Sequence, residues 1–164
     1  FMESTKFKIT LGILRIFMGL IFLWAFFDKL LGLGFATTAE KAWIAGGSPT
    51  FGFLSFGVHG PLANFYHNLA GNGLVEWLFM AGLLFIGVTL TLGIMVRLGA
   101  LTGVLMMILM YSALIPPENH PFIDEHIVYA LVMGLIAFGN AGKYFGFGNK
   151  WYNSTLVQKY KILA

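Results

Sequence analysis

Cysteine is absent and charge is scarce. With no cysteine in 164 residues, the chain has no thiolate nucleophile, Cys-ligated iron–sulfur cluster, zinc ribbon, c-type haem attachment or disulfide. Any redox chemistry must therefore use a borrowed or diffusible cofactor. Charged residues make up 10% of the chain against roughly a quarter in a soluble domain. Hydrophobic residues make up 58%, more than an aqueous fold of this size can hide, so the chain reads as one membrane domain. The net charge of +3 comes from scattered lysines and arginines with no basic run, which argues against a nucleic-acid partner. Low-complexity tracts and strong internal repeats are missing as well.

What is present is a set of long apolar stretches. A helix crossing a bilayer needs about 20 predominantly apolar residues. Residues 9–31, 74–95, 98–115 and 126–144 meet or approach that length, predicting an all-α, integral membrane four-helix bundle with a tail over 145–164. Lys6 and Lys8 ahead of the first run resemble a signal peptide, and Ala36 to Ala39 a weak cleavage site. The run is too long for a signal core, so it is read as a retained helix. Met2 reads as the natural start, after Phe1. Gly99-x-x-x-Gly103 and Gly142-x-x-x-Gly146 have the spacing of close helix packing.

The charges predict the orientation. Lys6, Lys8, Arg15, Arg97, Lys143, Lys150, Lys159 and Lys161 fall on the side of both termini, and only Lys29 and Lys41 on the other. The positive-inside rule then makes both termini cytoplasmic in a multi-pass plasma-membrane protein. Asp28, Glu40, Glu76, Glu118, Asp124, Glu125 and all four histidines, His59, His67, His120 and His126, fall outside, with Glu3 the one acid inside. Acids contribute little to insertion, so this asymmetry points to function at the outer end.

The connection over 32–73 is long for a compact domain, where loops beyond about 15 residues are usually functional or disordered. Its aromatic content, with Phe35, Trp43, Phe51, Phe53, Phe56, Phe65 and Tyr66, predicts an ordered lid over the outer ends of the helices. Thr38 to Ala45 reads as a short helix stopped by Gly46-Gly47, and Pro61 to Ala70 as another ended by Gly71.

Within the spans, Arg15 is an ionisable residue costly enough to suggest function, with snorkelling toward the inner headgroups as the alternative. Lys29 lies about four turns further on and has the same alternative at the outer end. Glu76 complements the dipole of the helix it opens. Asp28, Lys29, Glu76, Asp124 and His126 all end at similar outer depth. A carboxylate, an ammonium and an imidazole beside an apolar cavity suit proton-coupled quinone chemistry. His120, Asp124, Glu125 and His126 match no fixed zinc spacing, so no metal is expected. No histidine sits in a helix middle to hold a haem.

The chain resembles the DoxX/DoxD membrane protein family, and most closely its DoxD branch. The resemblance rests on Leu14-Arg15-Ile16-Phe17-Met18-Gly19-Leu20 with Asp28-Lys29-Leu30, on Glu76-Trp77-Leu78 through Gly82 and Gly87 to Leu92-Gly93 and Arg97, and on Asp124-Glu125-His126-Ile127-Val128-Tyr129-Ala130 followed by Gly139 to Gly146. Trp43-Ile44-Ala45-Gly46-Gly47 and Gly60-Pro61-Leu62-Ala63 are similar to the DoxD branch in particular. The resemblance implies the small membrane subunit of a thiosulfate:quinone oxidoreductase, which oxidises two thiosulfates to tetrathionate, passes the electrons to a membrane quinone and works with a DoxA-type second subunit. Lys29, Glu76, His126 and Asp28 are then the expected catalytic residues. Arg15, Trp43, His59, His67, Trp77, Arg97 and Asp124 are the expected quinone or substrate contacts, and Lys41 would help to meet the thiosulfate dianion. The alternative expectation is a non-catalytic membrane subunit that stabilises or anchors a respiratory complex such as a terminal quinol oxidase. A small-solute transporter fits less well, because the inverted repeats common in transporters are missing.

Overall fold

The computed structural model describes residues 5–160 and 163. Phe1, Met2, Glu3 and Lys161, assigned above from sequence, lie outside the described residues. All regular structure among the described residues is helical, with no strand. Its first helix, α1, runs Thr5–Leu31, about 40 Å at 1.5 Å per residue. After the long connection, which contains the short helix α2 (Ala63–His67), come α3 (Gly73–Leu92), α4 (Val96–Ala113) and α5 (Glu125–Phe138). Two short helices, α6 (Gly148–Tyr152) and α7 (Thr155–Lys159), give structure to what the sequence suggested only as a tail.

Local chemistry sets the ends of these helices. Asn72 caps α3 by accepting from the Leu74 and Val75 amides, and Asp124 caps α5 by accepting from those of His126 and Ile127. The α3 helix stops at Leu92, short of the expected Met95, because Gly93 turns left-handed at φ 82°. The joint to α4 is therefore Gly93-Ile94-Met95, and Val96-Arg97 opens α4 instead of forming the turn. The last long helix also ends early, at Phe138 rather than Tyr144. Gly139 and a left-handed Asn140 break it, and a single 3-10 turn over Ala141–Lys143 follows.

Three helices, α1, α3 and α4, are long and apolar enough to cross a membrane. The 14 residues of α5 span only about 21 Å, less than the roughly 30 Å hydrocarbon core. Even so, α5 joins the same core: Leu11, Met18 and Phe22 of α1 pack with Ile86 and Leu90 of α3, Ala100 and Met107 of α4, and Met133 and Ile136 of α5. Glycines set the register. Gly19 abuts Thr91 while Gly87 abuts Leu23, so α1 and α3 run in opposite directions. Gly99 against Thr89 and Gly82 against Met106 make α3 and α4 antiparallel, and Gly103 against Met133 with Gly142 against Val96 does the same for α4 and the α5 segment. The Gly99-x-x-x-Gly103 stripe thus packs two neighbouring helices, as its spacing suggested.

The outward faces stay apolar. Phe17 is 61% exposed, Leu131 71% and Trp77 66%. Soluble monomers rarely show a continuous belt of this kind, and a bilayer would cover it. Up-and-down packing segregates the charges: Arg15, Arg97 and Lys143 lie toward one end of the bundle, and Asp28, Glu76, Asp124 and His126 toward the other.

Candidate functional site

At the carboxylate-rich end, the long connection is ordered and folds back onto the helices. Leu54, Val58 and Tyr66 are buried with Ala113 in a second small core that also takes in Phe53, Leu69 and Val75. The Tyr66 hydroxyl donates to the Leu109 carbonyl at 3.0 Å and pairs with the Ser112 hydroxyl at 2.5 Å. The His59 amide donates to the Ala113 carbonyl, and its ring Nε2 pairs with the Pro116 carbonyl at 2.9 Å. The lid expected from sequence is thus docked on the end of α4, though its internal structure differs. Two 3-10 turns, Ala39–Lys41 and Trp43–Ala45, replace the first expected helix, and Gly46 at φ 87° ends the second turn. Pro61 and Leu62 precede the short α2 instead of starting it. The Phe53–Gly57 stretch coils as a π-helical turn that sequence reading missed.

The aromatic residues of the loop divide. Trp43 is half-buried and stacks edge-on against Trp77 at 4.5 Å, and Phe53 packs into the second core. Phe65 is 59% exposed, with its ring edge against Tyr66.

Two of the expected catalytic carboxylates hold this loop. Asp28 is buried and accepts from the Phe35 amide at 3.2 Å and the Ala36 amide at 3.0 Å, which fixes the chain just beyond α1. Glu76 accepts a short hydrogen bond from the Ser48 hydroxyl, which in turn accepts from the Phe51 amide at 3.0 Å. His126 pairs through Nδ1 with Asp124 Oδ2 at 2.8 Å, the one ion pair among the described residues if the ring is protonated. In the neutral ring, Nδ1–H donates to the carboxylate and the Nε2 lone pair is left available. Both side chains are about one-tenth exposed, at 12% and 11%.

The antiparallel register brings Glu76, Ser112 and His126 to one level, with Lys29 about five residues or roughly 8 Å deeper. Among the described residues, no hydrogen bond or ion pair joins Lys29, Glu76 and His126 directly. His67 is exposed at the end of α2, and Lys41 is exposed at the end of the first 3-10 turn. His120 Nδ1 accepts from the Phe122 and Ile123 amides and so shapes the α4–α5 turn. Asp124, Glu125 and His126 gather ligand atoms within 4.8 Å of one another, but Asp124 is already committed to the helix cap and to His126.

Arg15 does not snorkel. It is fully buried and donates to the Leu90 carbonyl at 2.7 Å, Tyr144 at 3.1 Å and Phe145 at 3.2 Å. Leu90 is in the last turn of α3, where carbonyls lack intrahelical partners and the helix dipole is negative, so the guanidinium caps α3. Arg97 is exposed at the same end, over the Phe138 ring at 5.9 Å, and so lies across the bundle from Lys29, Glu76 and His126.

Two cavities are notable. One, about 300 Å³, lies at the basic end beside Arg97 and Lys143. The other is an open, nearly wholly apolar groove of about 610 Å³ along Leu20, Ile21, Leu23, Trp24 and Phe27 of α1. The Trp24 ring meets Phe35 edge-on at 4.9 Å where the groove approaches the loop held by Asp28. Comparison with protein-family models, curated proteins and solved structures found no match to this chain.

Proposed function

We propose that the chain is the membrane subunit of a thiosulfate:quinone oxidoreductase. It would cross the plasma membrane four times, with both termini cytoplasmic and the acidic end outside. Two thiosulfates join through a new S–S bond to give tetrathionate, releasing two electrons. A membrane quinone takes up those two electrons and two protons to become quinol. The observation that carries the reading is the Asp124–His126 pair at the mouth of α5. Asp124 orients the ring so that Nε2 can exchange a proton with a quinone oxygen, while slight exposure connects the pair to water. The apolar groove on the outer half of α1 offers a lipid-facing surface for the quinone, with Trp24 and Phe35 at its upper edge. Lys29 and Lys41 supply positive charge on the side from which the dianion arrives. Electrons pass through the complex with a DoxA-type second subunit.

The test is thiosulfate-dependent quinone reduction by the purified complex in native lipids. Activity should require both subunits and fall by about a hundredfold or more in His126→Gln, a loss within the range of general acid–base catalysis. Full activity from the second subunit alone would overturn the reading. The engagement of Asp28 and Glu76 in loop tethers favours a second reading, a non-catalytic subunit that anchors a terminal quinol oxidase complex. On that reading the same variant would leave turnover per assembled complex unchanged.

A further inference from the structure

The basic end carries a second site, and it has its own ligand chemistry. Between the start of α4, the end of α5 and α6 is a cavity of about 300 Å³, within the range of small-molecule sites. Gly93, Ala141, Gly142 and Gly148 form part of its wall. The polar groups around it are of one sign. Arg97 and Lys143 line it with Asn140, and no carboxylate does; the Trp151 indole also lines it, with its N–H given to the Leu163 carbonyl at 2.7 Å. Neither cation forms an ion pair among the described residues. Each rests instead on an aromatic ring, Arg97 at 5.9 Å from the centre of Phe138 and Lys143 at 4.1 Å from that of Tyr152. The rings hold both charges at the rim without neutralising them.

What lies beside the cavity selects the ligand. Leu131, Leu135 and Phe138 form an exposed apolar stripe along α5, and Leu101, Leu105 and Ile108 expose apolar side chains on α4. These stripes lead away from the cavity toward the middle of the bundle, as acyl chains would. A phosphate group seated between Arg97 and Lys143 would therefore leave its attached chains against apolar surface. Trp151 and Tyr152 flank the cavity, and amphipathic aromatics of this kind are enriched at membrane boundaries.

We infer that the cavity bounded by Arg97, Lys143, Asn140 and Trp151 binds the phosphate headgroup of an anionic phospholipid. The site is independent of the quinone chemistry proposed above and shares with it only the membrane orientation, which assigns the lipid to the cytoplasmic leaflet. Basic pockets on that side of membrane proteins meet an anionic surface whose attraction falls off within a Debye length.

The test is native mass spectrometry of the delipidated full chain, titrated with phosphatidylglycerol or phosphatidylcholine of identical acyl chains. Retention of phosphatidylglycerol should exceed that of phosphatidylcholine by about tenfold or more, and Arg97→Gln with Lys143→Gln should abolish the preference. Lys159→Gln, which removes a charge away from the cavity wall, should preserve it. Thermal melting of the double variant separates loss of the site from loss of the fold, and the wild-type lipid comparison stands without any variant. Equal retention of the two lipids by the wild-type chain would overturn the proposal, as would an unchanged preference in a folded double variant. A third arm adds inorganic phosphate: displacement of phosphatidylglycerol at equal concentration would reassign the cavity to a free phosphate ligand and overturn the lipid assignment. Thiosulfate oxidation is not part of the readout, so either proposal can fail without the other.

Discussion

The Arg15 guanidinium reaches across from α1 to the Leu90 carbonyl at 2.7 Å and closes the last turn of α3. With its bonds to Tyr144 and Phe145, it ties α3 and the chain after α5 to α1. The bonds come from one fully buried charge, and that makes the tie strong and costly to cut. Arg15→Leu leaves three carbonyls without this donor, at about 1–3 kcal/mol for each that stays buried and unsatisfied. The expected result is a loss of at least about 3 kcal/mol in denaturant unfolding in detergent. Arg15→Lys should recover only part, since an ammonium lacks the planar fork that reaches separate acceptors. Wild-type stability in Arg15→Leu would show that the cap does not contribute.

The Tyr66–Ser112 contact makes a similar prediction for the lid. Tyr66 is buried, and its hydroxyl is shared between Leu109 and Ser112 of α4. Tyr66→Phe keeps the ring and removes the hydrogen bonds, costing about 1 kcal/mol by the usual net value of such bonds. Opening of the loop should then rise, read as faster proteolysis within residues 53–72 while α1, α3 and α4 stay protected. Tyr66→Ala, which also empties the second core, should show a larger effect. An equal cleavage rate in all three chains would refute docking through this residue.

How much of this was legible in the sequence depended on the range of the interaction. The long apolar runs and the Gly46 stop are written within a few residues, so three long helices and the end of the Trp43 turn could be read directly. The early ends of α3 and α5 were missed because Gly93 and Asn140 are unremarkable in composition and matter only through their left-handed backbone. The lid was legible from its aromatic residues. Its fasteners were not, because Ser48, Tyr66 and His59 find Glu76, Ser112 and Pro116 across the fold. Arg15 was identified as costly, but its partners are backbone carbonyls, which carry no side-chain signal. Asp28 and Glu76 were singled out for their chemistry, and the structure gives both a tethering contact that residue type alone does not reveal.

Membrane orientation is directly testable because the chain has no cysteine. Single substitutions at Asn64 in the loop and Asn149 at the basic end, both exposed, give one thiol each without background. An impermeant maleimide added to intact cells should label Asn64→Cys and spare Asn149→Cys until the membrane is opened. The sequon Asn153-Ser154-Thr155 gives a second reading, since an inward basic end leaves Asn153 without a glycan. The reverse labelling pattern, or a glycan on Asn153, would invert the assignment.

Glu76 separates the catalytic reading from the tethering one. Its carboxylate accepts from Ser48, and Ser48 in turn holds the Phe51 amide, so the pair fastens the loop to the first turn of α3. Glu76→Gln keeps the acceptor oxygen and nearly the same shape, but removes a group that can take up a proton. Ser48→Ala leaves the proton acceptor and removes the tether. If Glu76 serves proton transfer to the quinone, Glu76→Gln should lower turnover by about a hundredfold, with assembled complex near wild-type amounts, and Ser48→Ala should cost far less activity. If Glu76 only fastens the loop, the order reverses: Ser48→Ala should reduce assembly and proteolytic resistance at least as much as Glu76→Gln, with turnover per assembled complex unchanged in both. Measuring assembly and thiosulfate:quinone turnover on the same preparations decides between them, because the two readings rank the variants in opposite order.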